Sequence, residues 1–179
     1  MGKLSDVGYD SLRDLIGNMA LSNGGLAEGT NAATYKTANT ISYLSDGQFK
    51  SKGATDNVAF SSGHYTLKDG YSCLFVVALD GDGNFKTFQG EPFKAETVGG
   101  ATKYRGYRRD AQGNYEMTSA LVDKTSSYLP DVDAGYSPVG IIKVATSGAA
   151  FVPGTTDLGA GTVTDTYYNV GVLPADTNL

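Results

Sequence analysis

The residues of this chain best spaced for chemistry are acidic. Asp80, Asp82, Asn84 and Glu91 fall at positions 1, 3, 5 and 12 of a calcium-binding loop. Such a loop needs glycine at position 6 for its sharp turn, and that position is Phe85 here. The flanking residues alternate as strands do, where the calcium motif needs two helices. Asp80-Gly81-Asp82-Gly83-Asn84 therefore reads as a hairpin turn with acidic tips, because Asp-Gly and Gly-Asn are ordinary turn pairs. No metal is expected. His64 is the sole histidine, and a Ser-His-Asp triad would have to join it to Ser61 or Ser62. No Gly-x-Ser-x-Gly elbow occurs, so His64 reads as a packing or solvent residue. Asp131 and Asp133 share a side of an extended chain and could in principle do glycosidase work, but they sit in a proline-bounded connector, where charge is exposed by default. No glycine stretch makes a phosphate-binding loop. The expectation is a non-enzymatic chain with no catalytic residue and no cofactor.

One strip points to a partner. Lys103-Tyr104-Arg105-Gly106-Tyr107-Arg108-Arg109 interleaves bases with aromatics. Such a strip can stack bases and track phosphates. It can equally be an exposed hairpin whose charges discourage edge pairing, or a contact to an acidic surface. The chain carries 14 bases and 19 acids, for a net charge of −5, which opposes non-specific phosphate binding. Nucleic acid is therefore not the expected partner. Tyr104, Arg105, Tyr107, Arg108 and Arg109 stand as candidate partner-binding residues.

The elements that must position these residues are mostly short strands. Leu12, Leu15, Ile16 and Met19 follow the i, i+3, i+4, i+7 spacing of one helical face, and Gly24-Gly25 would end that helix. An isolated helix of this length is marginal in water, so its stripe must pack on its own domain or on a partner. These four residues join the candidate partner-binding set, and residues 1–25 read as a helical arm before a β-rich domain over 26–179. From there the pattern has period two. Strands are expected over Thr34 to Tyr43, Gln48 to Lys52, Val58 to Phe60, His64 to Leu67, Tyr71 to Leu79 and Phe85 to Phe88. Others follow over Tyr104 to Arg108, Tyr115 to Val122, Val139 to Ala145 and Val163 to Leu173. Asp46-Gly47, Asp69-Gly70 and Gln112-Gly113-Asn114 supply turns. Many short strands at this spacing predict a mainly β fold, an antiparallel sandwich or barrel with a short N-terminal helix.

Composition agrees. A chain of 179 residues buries a sizeable core without staples, and the single cysteine, Cys73, sits in an apolar run that disfavours its reactive thiolate. Glycine (24) and tyrosine (12) suit turns and amphipathic sheet surfaces. No apolar stretch approaches the roughly 20 residues that span a bilayer, and the first residues lack a signal-peptide core, so a cytoplasmic origin and no membrane partner are expected.

Several segments carry a resemblance. They are Leu12-Arg13-Asp14-Leu15-Ile16 leading to Gly24-Gly25-Leu26-Ala27-Glu28-Gly29-Thr30, then Lys36 to Tyr43, then Lys52 to Asn57. Near the end are Leu129-Pro130-Asp131-Val132-Asp133-Ala134-Gly135-Tyr136-Ser137-Pro138 running on to Val144, Phe151 to Leu158, and Tyr168 to Pro174. In this order they resemble a family of tailed-bacteriophage virion structural proteins, some of them capsid decoration (cement) proteins. The resemblance covers most of the chain except roughly Glu91 to Thr125, which looks like a longer hairpin or insertion. It implies a virion protein on the capsid surface, made in the host cytoplasm, that binds the major capsid protein and stabilises the head. Decoration sites lie on symmetry axes, so a closed oligomer, a homotrimer, is expected. The rival is a tail, fibre or baseplate component, an adhesin whose exposed tyrosines stack on glycans.

Overall fold

The computed structural model describes residues 17–170. Its spine is a pair of long strands, β7 (Ser72–Leu79) and β12 (Ser137–Thr146). The run from Cys73 to Leu79 has no polar residue and is buried throughout, as a strand covered on both faces must be. The two strands pair antiparallel from Ser137↔Leu79 to Ala145↔Ser72. Pro138 is tolerated in β12 because the register shifts between it and Gly140. β13 (Val163–Asn169) pairs with the outer side of β12. The other side of β7 takes β8 (Phe85–Gln89) along Phe75–Leu79, and β9 (Phe93–Val98) at Ser72. β10 (Ala101–Arg109) and β11 (Tyr115–Val122) continue the sheet, which has seven strands in the order β11-β10-β9-β7-β12-β13 with β8 off this path.

Two three-stranded sheets cover part of one face. The first joins β1 (Met19–Ala20), β4 (Ile41–Ser45) and β5 (Gln48–Lys52); the second joins β2 (Leu26–Glu28), β3 (Tyr35–Thr37) and β6 (Thr55–Val58). In β4 the period-two pattern is plain, with Ile41, Tyr43 and Ser45 buried. The main core packs Leu26, Tyr35, Ile41 and Tyr43 from this layer against Cys73, Phe75, Val77 and Leu79 of β7. Phe60, Phe75 and Phe151 meet edge-on within it. The opposite face of β7 carries Leu74, Val76 and Ala78 into a second cluster with Phe88, Phe93, Tyr128 and Ile141. A 3-10 turn (Thr125–Tyr128) and the connector to Ser137 cover that cluster. The fold is mainly β and antiparallel, with a sandwich-like arrangement.

The N-terminal expectation changes. Leu12, Leu15 and Ile16 lie outside the described residues. Met19 is on a strand, not a helix: Met19 pairs with Leu44 and Ala20 with Tyr43. Gly17 O and Asn18 Oδ1 accept the Gly47 and Asp46 amides, so this short strand is fastened to the β4–β5 hairpin and to the core through Ala20. Tertiary pairing thus overrides the helical spacing at Met19. The strand expected over Thr34 to Tyr43 is two strands in different sheets. Between them Ala38 and Asn39 donate to Gly25 O and Gly24 O, turning the chain from one sheet to the other. The segment His64 to Leu67 forms only a bridge, Leu67↔Phe151, and β9 was not anticipated. The Asp46-Gly47 turn has both φ angles positive, 50° and 73°, as a two-residue hairpin requires.

Candidate interaction surface

β9, β10 and β11 form a wing of the large sheet. Its two faces follow from strand alternation. Phe93, Tyr104 and Gly106 point to the second core, where Tyr128 lies against them. Tyr128 stacks on Phe93 with ring centroids 5.1 Å apart and donates its hydroxyl to Tyr104 O. A Cβ on Gly106 would stand 2.4 Å from the Tyr128 ring, so this glycine is the space the ring occupies. The other face lies on the side of the main core, but the covering layer does not reach it. There Val98, Met117 and Leu121 are 46%, 63% and 37% exposed. Met117 lies opposite Tyr107 and Leu121 opposite Arg105, so these residues share the open face.

A ladder of tyrosines leads from the core onto this face. Tyr71 meets Tyr107 and Tyr115 edge-on at 4.9 and 4.7 Å, and Tyr65 meets Tyr115 at 6.4 Å. Each inner ring carries a cation: Lys94 Nζ is 3.9 Å from the Tyr71 centroid, Lys68 Nζ 5.0 Å from that of Tyr115, and Arg109 5.2 Å from that of Tyr65. None of these three bases is in an ion pair with a described residue. Arg105 instead grips Glu96 through two bonds of 2.7 and 3.0 Å, which holds the Glu96 carboxyl below the usual carboxylate range. Lys103 pairs with Asp123. The basic strip of the sequence is therefore divided. Arg105, Tyr107 and Arg109 alternate onto the open face, while Tyr104 is packing, and Arg108 and Arg109 both line a depression at the end of β10 beside Tyr65 and Glu91.

No known protein family, curated protein or solved structure matches this chain.

The remaining candidates are occupied by structural work. Asp80 Oδ1 accepts the Asp82 and Asn84 amides, and its Oδ2 accepts Asn84 Nδ2, so three of the four residues of the calcium reading bond to one another. Asp110 treats Asn114 in the same way in the β10–β11 turn. Both turns spell Asp-x-x-Gly-Asn, and their glycines, Gly83 and Gly113, hold φ of 80° and 83°. His64 Nε2 lies 2.7 Å from Thr87 Oγ1, and its ring meets Phe75 edge-on at 5.4 Å. Burial holds its imidazole below the usual range. Ser61 Oγ accepts the Thr87 amide, and His64 Nε2 meets the Thr87 hydroxyl rather than Ser61. Burial pushes the Cys73 thiol up to about 12. Two adjoining depressions of about 500 and 320 Å³ share Tyr65, Gln89, Pro130 and Asp131. Among the described residues no group of three or more His, Cys, Asp or Glu is placed to hold a metal ion, and no helix is long and apolar enough to cross a membrane. Sequence reasoning missed Val98, Met117, Leu121, Lys68 and Lys94. For all but Lys68 the available signal was alternation within the segment Glu91 to Thr125, where apolar residues recur on the face of Arg105 and Tyr107.

Proposed function

We propose that this chain is a non-enzymatic virion structural protein of a tailed bacteriophage, a capsid decoration protein that binds the major capsid lattice and stabilises the head. The observation that carries the reading is the uncovered wing face, where Val98, Met117 and Leu121 stand exposed together. An exposed apolar patch rimmed by charge marks a protein contact. The polar groups best suited to catalysis are meanwhile spent on turns and packing. The resemblance of the flanking segments supplies the setting, and the wing coincides with the segment that departs from it. Each copy bound only to the assembled shell stabilises that shell by mass action. A closed homotrimer on a symmetry axis fits this role.

Imaging purified particles by cryo-electron microscopy tests the reading. Density for this chain repeated over the capsid, on the order of hundreds of copies, supports decoration. Density only at the tail or baseplate replaces it with the fibre or adhesin role, and absence from particles removes both.

A further inference from the structure

We infer that the open face of the wing is a self-association surface, on which the acidic far end of the large sheet of a second copy docks head to tail. The inference rests on the cyclic-oligomer part of the function proposed above and names the contact that would build it.

Three observations carry it. First, the wing is half a sandwich. The face of the large sheet that carries the main core is covered by the two small sheets, whereas over the wing the same face exposes Met117, Leu121 and Val98. Second, charge is polarised along the sheet. Among the described residues the segment Glu91 to Thr125 has six bases and five acids, and the remainder has six bases and ten acids. Lys68, Lys94 and Arg109 are held over tyrosine rings beside the open face, without acidic partners among the described residues. Third, the opposite end of the sheet is acidic. β13 ends the strand order, β2 is fastened to it where Asn169 Oδ1 accepts the Leu26 amide, and Leu158 donates to Ala32 O. These elements bring Glu28, Asp157 and Asp165 to one end, and none of them is in an ion pair among the described residues. Like ends repel and unlike ends attract, so charge selects a head-to-tail contact over a wing-to-wing one. Such a contact uses two different surfaces, and it closes into a ring when its rotation divides a full turn. A carboxylate-rich segment of another protein would meet the same bases, and the experiment separates that case.

The test uses the purified full chain and two variants. Met117→Glu with Leu121→Glu spoils the wing and leaves the acidic end intact. Asp157→Lys with Asp165→Lys spoils the acidic end and leaves the wing intact. Sedimentation velocity at tens of micromolar should find the unmodified chain oligomeric, with association weakened at least tenfold by raising salt from 0.05 to 0.5 M, as screening requires. Each variant alone should be monomeric, with unchanged circular dichroism and thermal unfolding. Mixed one to one, they should form a dimer and nothing larger, because only one intact junction remains. A monomeric unmodified chain overturns the inference, as does an acidic-end variant that still assembles or a mixture that stays monomeric. Binding of the same proteins to stripped particles is read separately. A monomer that still binds particles sinks this contact and leaves the virion role standing. Self-association without particle binding does the reverse.

Discussion

The contact between Gly106 and Tyr128 makes a prediction whose size can be worked out. Gly106→Ala adds a methyl 2.4 Å from Tyr128 Cε1, in a ring stacked on Phe93 and 7% exposed. Overpacking of this kind costs about 1–3 kcal/mol. Replacing glycine also restricts the unfolded chain, which offsets about 0.4–1 kcal/mol. The net loss should be about 1–2 kcal/mol, a fall of about 3–6 °C in the thermal midpoint for a chain of this size. Tyr128→Ala alone should cost about 3–5 kcal/mol, as removal of a buried aromatic ring does. In that background Gly106→Ala should cost nearly nothing, because the methyl enters the space the ring has left. Gly90→Ala is the control. Its Cβ would meet the backbone carbonyl oxygen of Tyr128 at 2.2 Å, which truncation of the side chain leaves in place. Its penalty should persist in both backgrounds. A double-mutant cycle by urea unfolding measures the coupling directly. An equal cost for Gly106→Ala with and without the ring would refute the argument that this glycine exists to seat Tyr128.

Three further outcomes follow from the same structure. Asp80→Ala and Asp110→Ala should each lower the thermal midpoint by a few degrees, since each frees a turn held by its carboxylate. Desolvation pushes these two carboxyls up, but the bonds from Asn84 or Asn114 and the turn amides outweigh it and hold both below the usual range. Their contribution is therefore present above pH 3.8 and lost as pH falls below it, and each alanine variant should show a shallower acid-unfolding curve. His64, held neutral by burial, acts with the opposite sense of charge: below pH 6.5 the unfolded chain takes up a proton that the folded chain resists, so stability falls on acidification. His64→Gln should flatten urea stability across that window, and an unchanged slope would show that another group is responsible. Cys73 should resist iodoacetamide in the folded chain and label fully in denaturant; rapid labelling at neutral pH without unfolding would contradict its burial.

What could be read in the sequence was local. The run from Cys73 to Leu79 has one physical reading, a strand covered on both faces, and the Asp46-Gly47 and Asp80–Asn84 turns carry their own conformational instructions. Two things were not local. Met19 follows a helical spacing, yet its backbone is claimed by Leu44, a partner 25 residues away. The strip from Lys103 to Arg109 is one strand, but alternation sends its neighbours to opposite faces, and Tyr128 packs against only one of them. The open face is defined by a layer that ends before reaching it, and no residue type marks such an edge.

The pairing of β7 with β12 also has a consequence for the order in which the chain is made. β7 finds β8 at once across the Asp80–Asn84 turn, but its other edge waits for β12. Roughly 60 residues separate Leu79 from Ser137, and at about 5–20 residues per second the ribosome needs about 3–12 s to add them. During that interval the most apolar strand of the protein has one unpaired edge, and its second face still lacks Tyr128 and Ile141. The hairpin with β8 and the small sheets, all but β8 encoded before it, are the only shelter then available. Variants that weaken these N-terminal sheets should therefore lower soluble yield more than they lower the stability of the finished protein.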